Sequence, residues 1–221
     1  MILIGLNGRL RSGKDTLFEI VRDDEQGVQV ERAGFADALK LSGIRALGYE
    51  PRDVNHAIEI ANLIKDSGTI QVHLRRDGSS EAPPSSSVHS ITGRQFWQWY
   101  GTEAHRRIFG DDFWVDALLP QATTFGNGRA LAKRFQTDVL FITDTRFENE
   151  ALRILQLGGE VWRIDADERL GPLPGNVHPS EHKLSRELIT REVDNNGTLE
   201  QFERAVLNVA EKAIKPWFYG S

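Results

Sequence analysis

The sequence predicts an α/β fold in three layers, with a central parallel sheet flanked by helices. Apolar runs of strand length alternate with segments of helical spacing along most of the chain, which is the pattern of a parallel sheet covered on both faces. The first run, over 2–6, is apolar at almost every position, as in a strand that is buried on both sides. The 221 residues fit one domain, 1–221, and can bury a core without disulfides.

Individual elements are predicted from apolar spacing and from turn residues. Leu17 and Val21 share one face of the first helix, Pro51 precedes the third helix, and Gly158-Gly159 ends the fifth. Pro216 is expected to stop the last helix. The strands are expected over 2–6, 28–35, 139–142, 160–164 and 188–193. The helices are expected over 14–24, 37–47, 52–64, 93–109, 147–157 and 199–214.

The stretch over 66–92 interrupts this pattern. It contains RRDGSSEAPPSSS, in which serine, proline, glycine and charged residues replace the apolar spacing. Such a composition is typical of a surface loop, and we expect a flexible insertion here.

Composition excludes several classes of protein. The net charge is −5 and the pI is about 5.7, whereas proteins that bind duplex nucleic acid usually carry a basic face. No apolar run of about 18 residues predicts a membrane span, and the N-terminus does not have the form of a signal peptide. The chain has no cysteine, which excludes thiol chemistry and fits a reducing cytosol.

The segment from Gly8 to Thr16 carries the clearest functional motif. It matches G-x-x-x-x-G-K, follows a predicted strand and opens a predicted helix, as a phosphate-binding loop does. Its glycines let backbone N–H groups point at an anion, and the helix N-terminus adds partial positive charge. Lys14 would bring a full charge to the β- and γ-phosphates of ATP, and Thr16 would offer a hydroxyl to Mg²⁺. The alternative is an ordinary glycine-rich βα turn.

The residue after Lys14 departs from the usual motif. Asp15 stands where the usual motif has serine or threonine, so the hydroxyl comes one residue later, at Thr16. The resulting G-K-x-T order resembles nucleoside monophosphate kinases. An acid so close to phosphates would repel them unless it pairs with a cation, for which Arg11 is the nearest candidate. The plainer interpretation is a solvated Asp15 favoured by the helix dipole. The nucleotide-binding residues predicted from this loop are Arg11, Ser12, Gly13, Lys14, Asp15 and Thr16.

Two further segments carry polar residues where ligands could bind. The apolar run over 139–144 ends in Asp144, at the sheet edge where parallel sheets bind ligands, so its carboxylate could hold a water of Mg²⁺ or orient Arg146. The alternative is an N-cap of the helix that follows. Arg94 and Gln98 share a helix face at i, i+4, so that one could bind a phosphate and the other a base edge. The aromatic residues around them are expected to lie mainly in the core.

Five segments, taken together, point to one family. They are RSGKDT (11–16), FADALK (35–40), GRQFWQWYGTEAHRRIFGDDFWVD (93–116), ITDTRFENEA (142–151) and HPSE (178–181). In this order, and over most of the chain, they resemble the deoxynucleoside monophosphate kinases of bacteriophages. The first segment alone is shared with other P-loop kinases, and the combination is more specific. The resemblance implies the P-loop kinase fold, with lid and acceptor-binding segments beside the sheet.

The resemblance also implies roles for individual residues. A monophosphate site would be lined by Lys40, Arg94, Gln98, Gly101, Thr102, Trp114 and Arg146. The catalytic residues would be Lys14, Arg94, Asp144 and Arg146, with Thr16 and Asp144 on the metal. Asn196 would lie near the adenine of ATP. The segment over 165–187 would form a lid that includes His178 to His182, and the arginines that could close on the transferring phosphate are Arg163, Arg169 and Arg186.

The predicted reaction moves the γ-phosphate of ATP·Mg²⁺ to a deoxynucleoside 5′-monophosphate. The acceptor phosphate is already ionised at about pH 7, so positioning and charge neutralisation suffice and no strong base or nucleophile is needed. Two alternatives stay open: a P-loop kinase for another small phosphoacceptor, such as dephospho-coenzyme A or phosphomevalonate, and a P-loop ATPase that is not a kinase. The expected partners are small-molecule nucleotides, with a homodimer allowed and neither nucleic acid nor membrane expected. The expected compartment is the cytoplasm, or the host cytoplasm for a viral chain.

Overall fold

The computed structural model describes residues 1–25, 27–73, 88–119, 135–172 and 184–219. The strands are β1 (Ile2–Asn7), β2 (Val30–Ala33), β3 (Thr69–His73), β4 (Val88–Thr92), β5 (Val139–Ile142), β6 (Glu160–Asp165) and β7 (Arg191–Asp194). The α-helices are α1 (Lys14–Asp24), α2 (Phe35–Ala46), α3 (Val54–Ser67), α4 (Gly93–Gln98), α5 (Arg107–Phe109), α6 (Phe113–Leu118), α7 (Glu148–Gln156), α8 (Asp167–Leu170) and α9 (Leu199–Tyr219). A π-helix (Trp99–Arg106) joins α4 to α5, and a 3₁₀ helix spans Arg186–Leu188. These residues form two compact units, 1–35 with 115–221, and 36–114.

A parallel sheet of five strands forms the centre of the first unit. Its strand order is β2-β5-β1-β6-β7, and every neighbouring pair is parallel. All six residues of the central strand β1 are buried, in agreement with the apolar sequence over 2–6. The predicted fold class, a central parallel sheet flanked by helices, is therefore confirmed, and it is consistent with a P-loop kinase fold.

Helices cover both faces of this sheet. Ile4 of β1 belongs to a core that includes Phe18 of α1 and Phe202 of α9. Leu3 belongs to a second core, on the opposite face, together with Ile154 of α7, because successive side chains of a strand point to opposite sides. The bounds of α1 and β5 match the predicted ranges at both ends.

The second unit contains an antiparallel hairpin of β3 and β4, in which Ile70 is paired with Ile91. This corrects the prediction of a loop over 66–92 at both ends of that stretch. The local reason is a short run of β-branched residues on either side of the serine- and proline-rich segment. That segment itself, over 74–87, lies outside the described residues.

Several element ends in the first unit differ from the predicted ranges, and two of them have a clear local reason. β2 ends at Ala33 instead of residue 35, because Phe35 already begins α2. Pro216 does not stop the last helix, which continues to Tyr219. Proline has no backbone N–H, so Pro216 cannot donate the helical hydrogen bond to the carbonyl of Lys212, four residues earlier. Because Lys212 is exposed, a water molecule can donate to this carbonyl instead.

Candidate functional site

The loop between β1 and α1 folds tightly at the carboxyl edge of the sheet. Arg11 has φ of 66° and Gly13 has φ of 102°, so two of its residues adopt the left-handed conformation. Gly13 is the N-cap of α1, and Lys14 is the first helical residue. The side chain of Asn7, at the end of β1, donates to the carbonyl of Thr145 at 3.0 Å and so joins the loop's base to the end of β5.

Only glycine fits at position 13. A Cβ there would lie 2.6 Å from Nδ2 of Asn195 and 3.2 Å from the ring of Phe202. The positive φ adds backbone strain for any other residue. The second glycine of the motif is therefore required by its close packing as well as by its conformation.

The ammonium of Lys14 lies against the loop that precedes it. Its Nζ donates to the carbonyl of Gly8 at 2.6 Å and to that of Arg9 at 2.8 Å. The side chain is half-buried. The loop thus keeps one full positive charge beside its own backbone, at the N-terminus of α1, where the helix dipole also favours an anion.

The hydroxyl of Ser12 is buried and has no hydrogen-bond partner among the described residues. The residue is 1% exposed, and within the described part of the chain its Oγ has no hydrogen-bond partner. Its backbone N–H is used inside the loop, where it donates to the carbonyl of Arg9 at 3.1 Å. A buried hydroxyl without a partner costs about 1–3 kcal/mol, so this Oγ fits a site completed by a ligand oxygen or a water.

Side chains that follow β6 and β7 hold the outer side of the loop. Asn195 donates from Nδ2 to the carbonyl of Ser12 at 2.7 Å, and Arg169 donates from Nη2 to the carbonyl of Arg11 at 2.8 Å. Arg9, from the loop itself, donates to the carbonyl of Gly171 at 2.6 Å. The site residues predicted from the sequence do not include Asn195, although its place near the end of a predicted strand was a usable signal.

Asn196, the residue chosen from the sequence, makes different contacts. Its Oδ1 accepts from the backbone N–H of Glu168 at 2.9 Å and of Arg169 at 3.3 Å, at the N-terminus of α8. Its Nδ2 donates to Asp194 at 2.7 Å. The amide of Asn196 therefore caps a short helix, and its predicted place near adenine stays a prediction.

Asp15 does not pair with Arg11, as the sequence suggested, but with Arg32 of β2. The distance from Arg32 Nη1 to Asp15 Oδ1 is 3.3 Å, and the two side chains are 55% and 76% exposed. The local sequence could not indicate this partner, because Arg32 comes from a separate strand. Such an exposed pair contributes little stability.

Asp144 lies just beyond β5 and bonds to another element. Its Oδ1 accepts from the backbone N–H of Phe35 at 2.7 Å, at the first residue of α2. The N-cap position of α7 is held by Phe147, not by Asp144, and Glu150 accepts from the N–H groups of Arg146 and Phe147 at 2.7 and 3.0 Å. The alternative of an N-cap for the following helix is therefore wrong. The side chain of Arg146 is half-buried between β5 and α7.

The second unit holds most residues of the predicted monophosphate site. Arg94, Gln98 and Thr102 are exposed, and Lys40 on α2 is half-buried. Trp114 is 4% exposed, and its Nε1 donates to the carbonyl of the buried Gly101 at 3.0 Å. The buried side chain of Trp114 therefore stabilises the π-helix at Gly101 through this hydrogen bond. The roles predicted for these residues stay predictions.

The predicted lid is described only at its two ends. The residues from His178 to His182 lie outside the described part of the chain. Of the three arginines considered, Arg163 is mostly buried and donates to the carbonyl of Leu184 at 2.5 Å. Arg169 contacts the phosphate loop as given above, and Arg186 is exposed.

Two features are absent from the described residues. These residues contain no group of three or more His, Asp or Glu side chains placed to hold a metal ion by themselves. None of their helices combines the length and the apolar character that crossing a membrane requires.

Comparison with known proteins gives one distant likeness. A protein of Acanthamoeba polyphaga mimivirus with the name "Putative deoxynucleotide monophosphate kinase" is 27% identical over 222 residues, which is 96% of this chain and 98% of that protein. No protein-family model matches the chain. The likeness thus extends along nearly the whole of both sequences, including the segments on either side of the phosphate loop.

Proposed function

We propose that this chain is a phosphotransferase that moves the γ-phosphate of ATP·Mg²⁺ to a deoxynucleoside 5′-monophosphate, giving a deoxynucleoside diphosphate and ADP. The observation that carries the proposal is the loop from Gly8 to Lys14. It joins the central strand of a parallel sheet to a helix, and it keeps an ammonium against its own carbonyls. This arrangement is the one in which P-loop proteins bind the phosphates of a nucleotide.

The residues present fit a bound polyphosphate. The N-terminus of α1 offers partial positive charge, Lys14 adds a full charge, and Ser12 has a buried Oγ that the described protein does not satisfy. A γ-phosphate in this loop would compete with the carbonyls of Gly8 and Arg9 for the ammonium. The exchange favours the phosphate because the ammonium would then face an oxygen that carries negative charge instead of neutral carbonyl oxygens.

Magnesium would bind together with the nucleotide. Mg²⁺ is usually held by phosphate oxygens, water and one or two protein groups, so a dedicated cluster of carboxylates is not required. Thr16 and Asp144 are the protein groups that we propose, and both side chains are half-buried in the first unit. The ion would neutralise charge on the phosphates.

The name of the mimivirus relative supports a nucleoside monophosphate as the acceptor. We propose that Arg94, Gln98 and Thr102 contact it, since all three are exposed in and just after α4 and offer hydrogen-bond donors. Arg146 would meet the acceptor phosphate as well. No side chain needs to act as a strong base, because the acceptor oxygen is ionised at about pH 7 and the reaction depends on alignment and charge. The proposed partners are small-molecule nucleotides, with a homodimer allowed.

A coupled assay of ADP release tests this proposal. ATP·Mg²⁺ would be offered with dGMP, dTMP, dCMP, dAMP, GMP, dephospho-coenzyme A, phosphomevalonate or no acceptor. We expect release that depends on one or more deoxynucleoside monophosphates, with the dNDP identified as the second product. Release only with another acceptor, or without any acceptor, would contradict the proposed acceptor, and no release under any condition would contradict the kinase.

A further inference from the structure

Asn195 lies beneath the phosphate loop, in the turn between β7 and α9. It is 9% exposed, and its Nδ2 donates to the carbonyl of Ser12 at 2.7 Å. The same Nδ2 is the atom that a Cβ at Gly13 would meet at 2.6 Å. The backbone N–H of Asn195 donates to the carbonyl of Asp165 at 2.6 Å, which attaches the turn to the end of β6. The side chain of Asn195 is thus bonded to the loop, and its backbone is bonded to the end of β6.

The hydrogen bond to Ser12 determines the direction of a neighbouring N–H group. The described backbone contains no cis peptide bond. In a planar trans peptide the carbonyl of one residue and the N–H of the next point in opposite directions. Because Asn195 holds the carbonyl of Ser12, the N–H of Gly13 points away from Asn195, and in the proposed function this is the side that faces the phosphates.

Arg169 reinforces this arrangement one peptide earlier. Its Nη2 donates to the carbonyl of Arg11 at 2.8 Å, and its Nε donates to the carbonyl of Asn195 at 3.0 Å. Two consecutive carbonyls of the loop are therefore held from outside. Arg11 has φ of 66°, which is unfavourable for any residue other than glycine. The hydrogen bonds from Asn195 and Arg169 therefore help the loop to keep this conformation.

We propose that Asn195 is a positioning residue that presets the phosphate loop for the donor nucleotide, an inference that rests on the function proposed above. It acts through the backbone of Ser12 and Gly13 and does not itself contact the substrate. This role differs from that of a residue that recognises adenine. Loss of the Asn195 amide should weaken binding of any polyphosphate, whether or not a base is attached.

The test compares Asn195→Asp and Asn195→Ala with the wild-type protein. The aspartate has nearly the same shape but cannot donate to the carbonyl of Ser12, and the alanine removes the amide without adding charge. Asn208→Asp is the matched control, because Asn208 is an exposed residue of α9. Affinities for ATP·Mg²⁺, ADP·Mg²⁺ and tripolyphosphate are measured by titration calorimetry, with Tm as the check on folding, and KM for the acceptor is measured in the coupled assay.

We expect both Asn195 variants to bind ATP and tripolyphosphate roughly tenfold more weakly, with KM for the acceptor unchanged. Asn208→Asp should match the wild type. Unchanged donor affinity in the folded variants would overturn the inference. A loss of affinity for ATP but not for tripolyphosphate would also overturn it, because that result would indicate contact with the base. An equal weakening of donor and acceptor binding would overturn it as well, because that result would indicate a general structural role.

The test also separates this inference from the proposed function. If the wild type binds ATP·Mg²⁺ but phosphorylates no monophosphate, the proposed reaction fails, and the donor affinities still decide the role of Asn195. If the wild type binds none of the three polyphosphates, both fail together.

Discussion

Asp144 and Phe35 are joined by a hydrogen bond of 2.7 Å between a carboxylate oxygen and a backbone N–H, across 109 residues of sequence. The bond connects the end of β5 to the beginning of α2. Gly34 leaves room for this carboxylate: a Cβ there would lie 3.0 Å from Oδ2 of Asp144, which is tighter than most Cβ contacts. One carboxylate therefore has a structural task, in addition to the metal role proposed for it.

These two tasks of Asp144 can be separated by substitution. In Asp144→Asn the amide oxygen can still accept from Phe35, so we expect Tm to stay close to that of the wild type. The negative charge is lost, so activity with Mg²⁺ should fall at least roughly tenfold. In Asp144→Ala the acceptor is lost as well, and the free energy of unfolding should fall by about 1 kcal/mol. An Asn variant with normal activity would contradict the metal role.

Removing the ammonium of the phosphate loop should abolish most of the activity. We expect Lys14→Ala to fold, because Lys14 and the two residues whose carbonyls it contacts, Gly8 and Arg9, are only half-buried. Turnover of ATP should fall at least about a hundredfold, as when other groups that stabilise transition-state charge are removed. Lys212→Ala, at an exposed residue of α9, is the control. A folded Lys14 variant with normal turnover would contradict the proposed donor site.

Packing and backbone strain can be measured separately at two glycines. Gly158 has φ of 78°, and no described atom lies within 4 Å of the position that a Cβ would take there, whereas Gly13 has φ of 102° and close neighbours. Gly158→Ala should therefore cost only the strain, about 1–2 kcal/mol. Gly13→Ala should cost more and should also weaken donor binding. Denaturant unfolding gives both free energies, and equal costs at the two positions would show that the contact with Asn195 is unimportant.

The acceptor site can be tested at Arg94. This exposed arginine of α4 is expected to bind the phosphate of the acceptor. Arg94→Ala should raise KM for the deoxynucleoside monophosphate about tenfold or more, while KM for ATP stays within about twofold. Arg45→Ala, at an exposed position of α2, removes the same side chain elsewhere in the second unit. If Arg94→Ala and Arg45→Ala give the same KM for the acceptor, Arg94 does not bind it.

Glu160 and Arg191 form the ion pair from which a pH dependence can be predicted. Arg191 donates to both carboxylate oxygens, at 2.6 and 2.9 Å, and Trp162 donates to one of them at 2.7 Å. Burial raises the pKa of Glu160, but these hydrogen bonds outweigh it and leave the pKa below its ordinary value of 4.5. Folding therefore favours the charged carboxylate, and the stabilisation is complete above that value and lost as the pH falls below it.

Glu160→Gln should consequently be less stable than the wild type at neutral pH. The difference in Tm between the two proteins should shrink as the pH is lowered from about 7 to about 3, because the wild-type carboxylate becomes protonated. Glu203→Gln, at an exposed residue of α9, is the control for removing a surface carboxylate. A difference that grows towards low pH would contradict the lowered pKa.

Features that depend on neighbouring residues were predictable from the sequence. The bounds of α1 and β5 follow from apolar spacing and from the glycine at the start of the helix, which act over a few residues. The parallel sheet follows from the alternation of strands and helices. Local signals were less reliable at element ends, as at Pro216, where solvent around an exposed turn compensates for the lost hydrogen bond.

The sequence by itself thus determined the fold class, the glycine-rich connection between β1 and α1 and the place of Lys14 at the start of α1. The tertiary structure alone decided which distant groups complete that site. Arg32 pairs with Asp15, Phe35 with Asp144, and Asn195 with Ser12, over separations of 17, 109 and 183 residues. The reason is that these contacts depend on the strand order β2-β5-β1-β6-β7, which places the ends of distant strands side by side. Residue spacing within one element carries no information about that order.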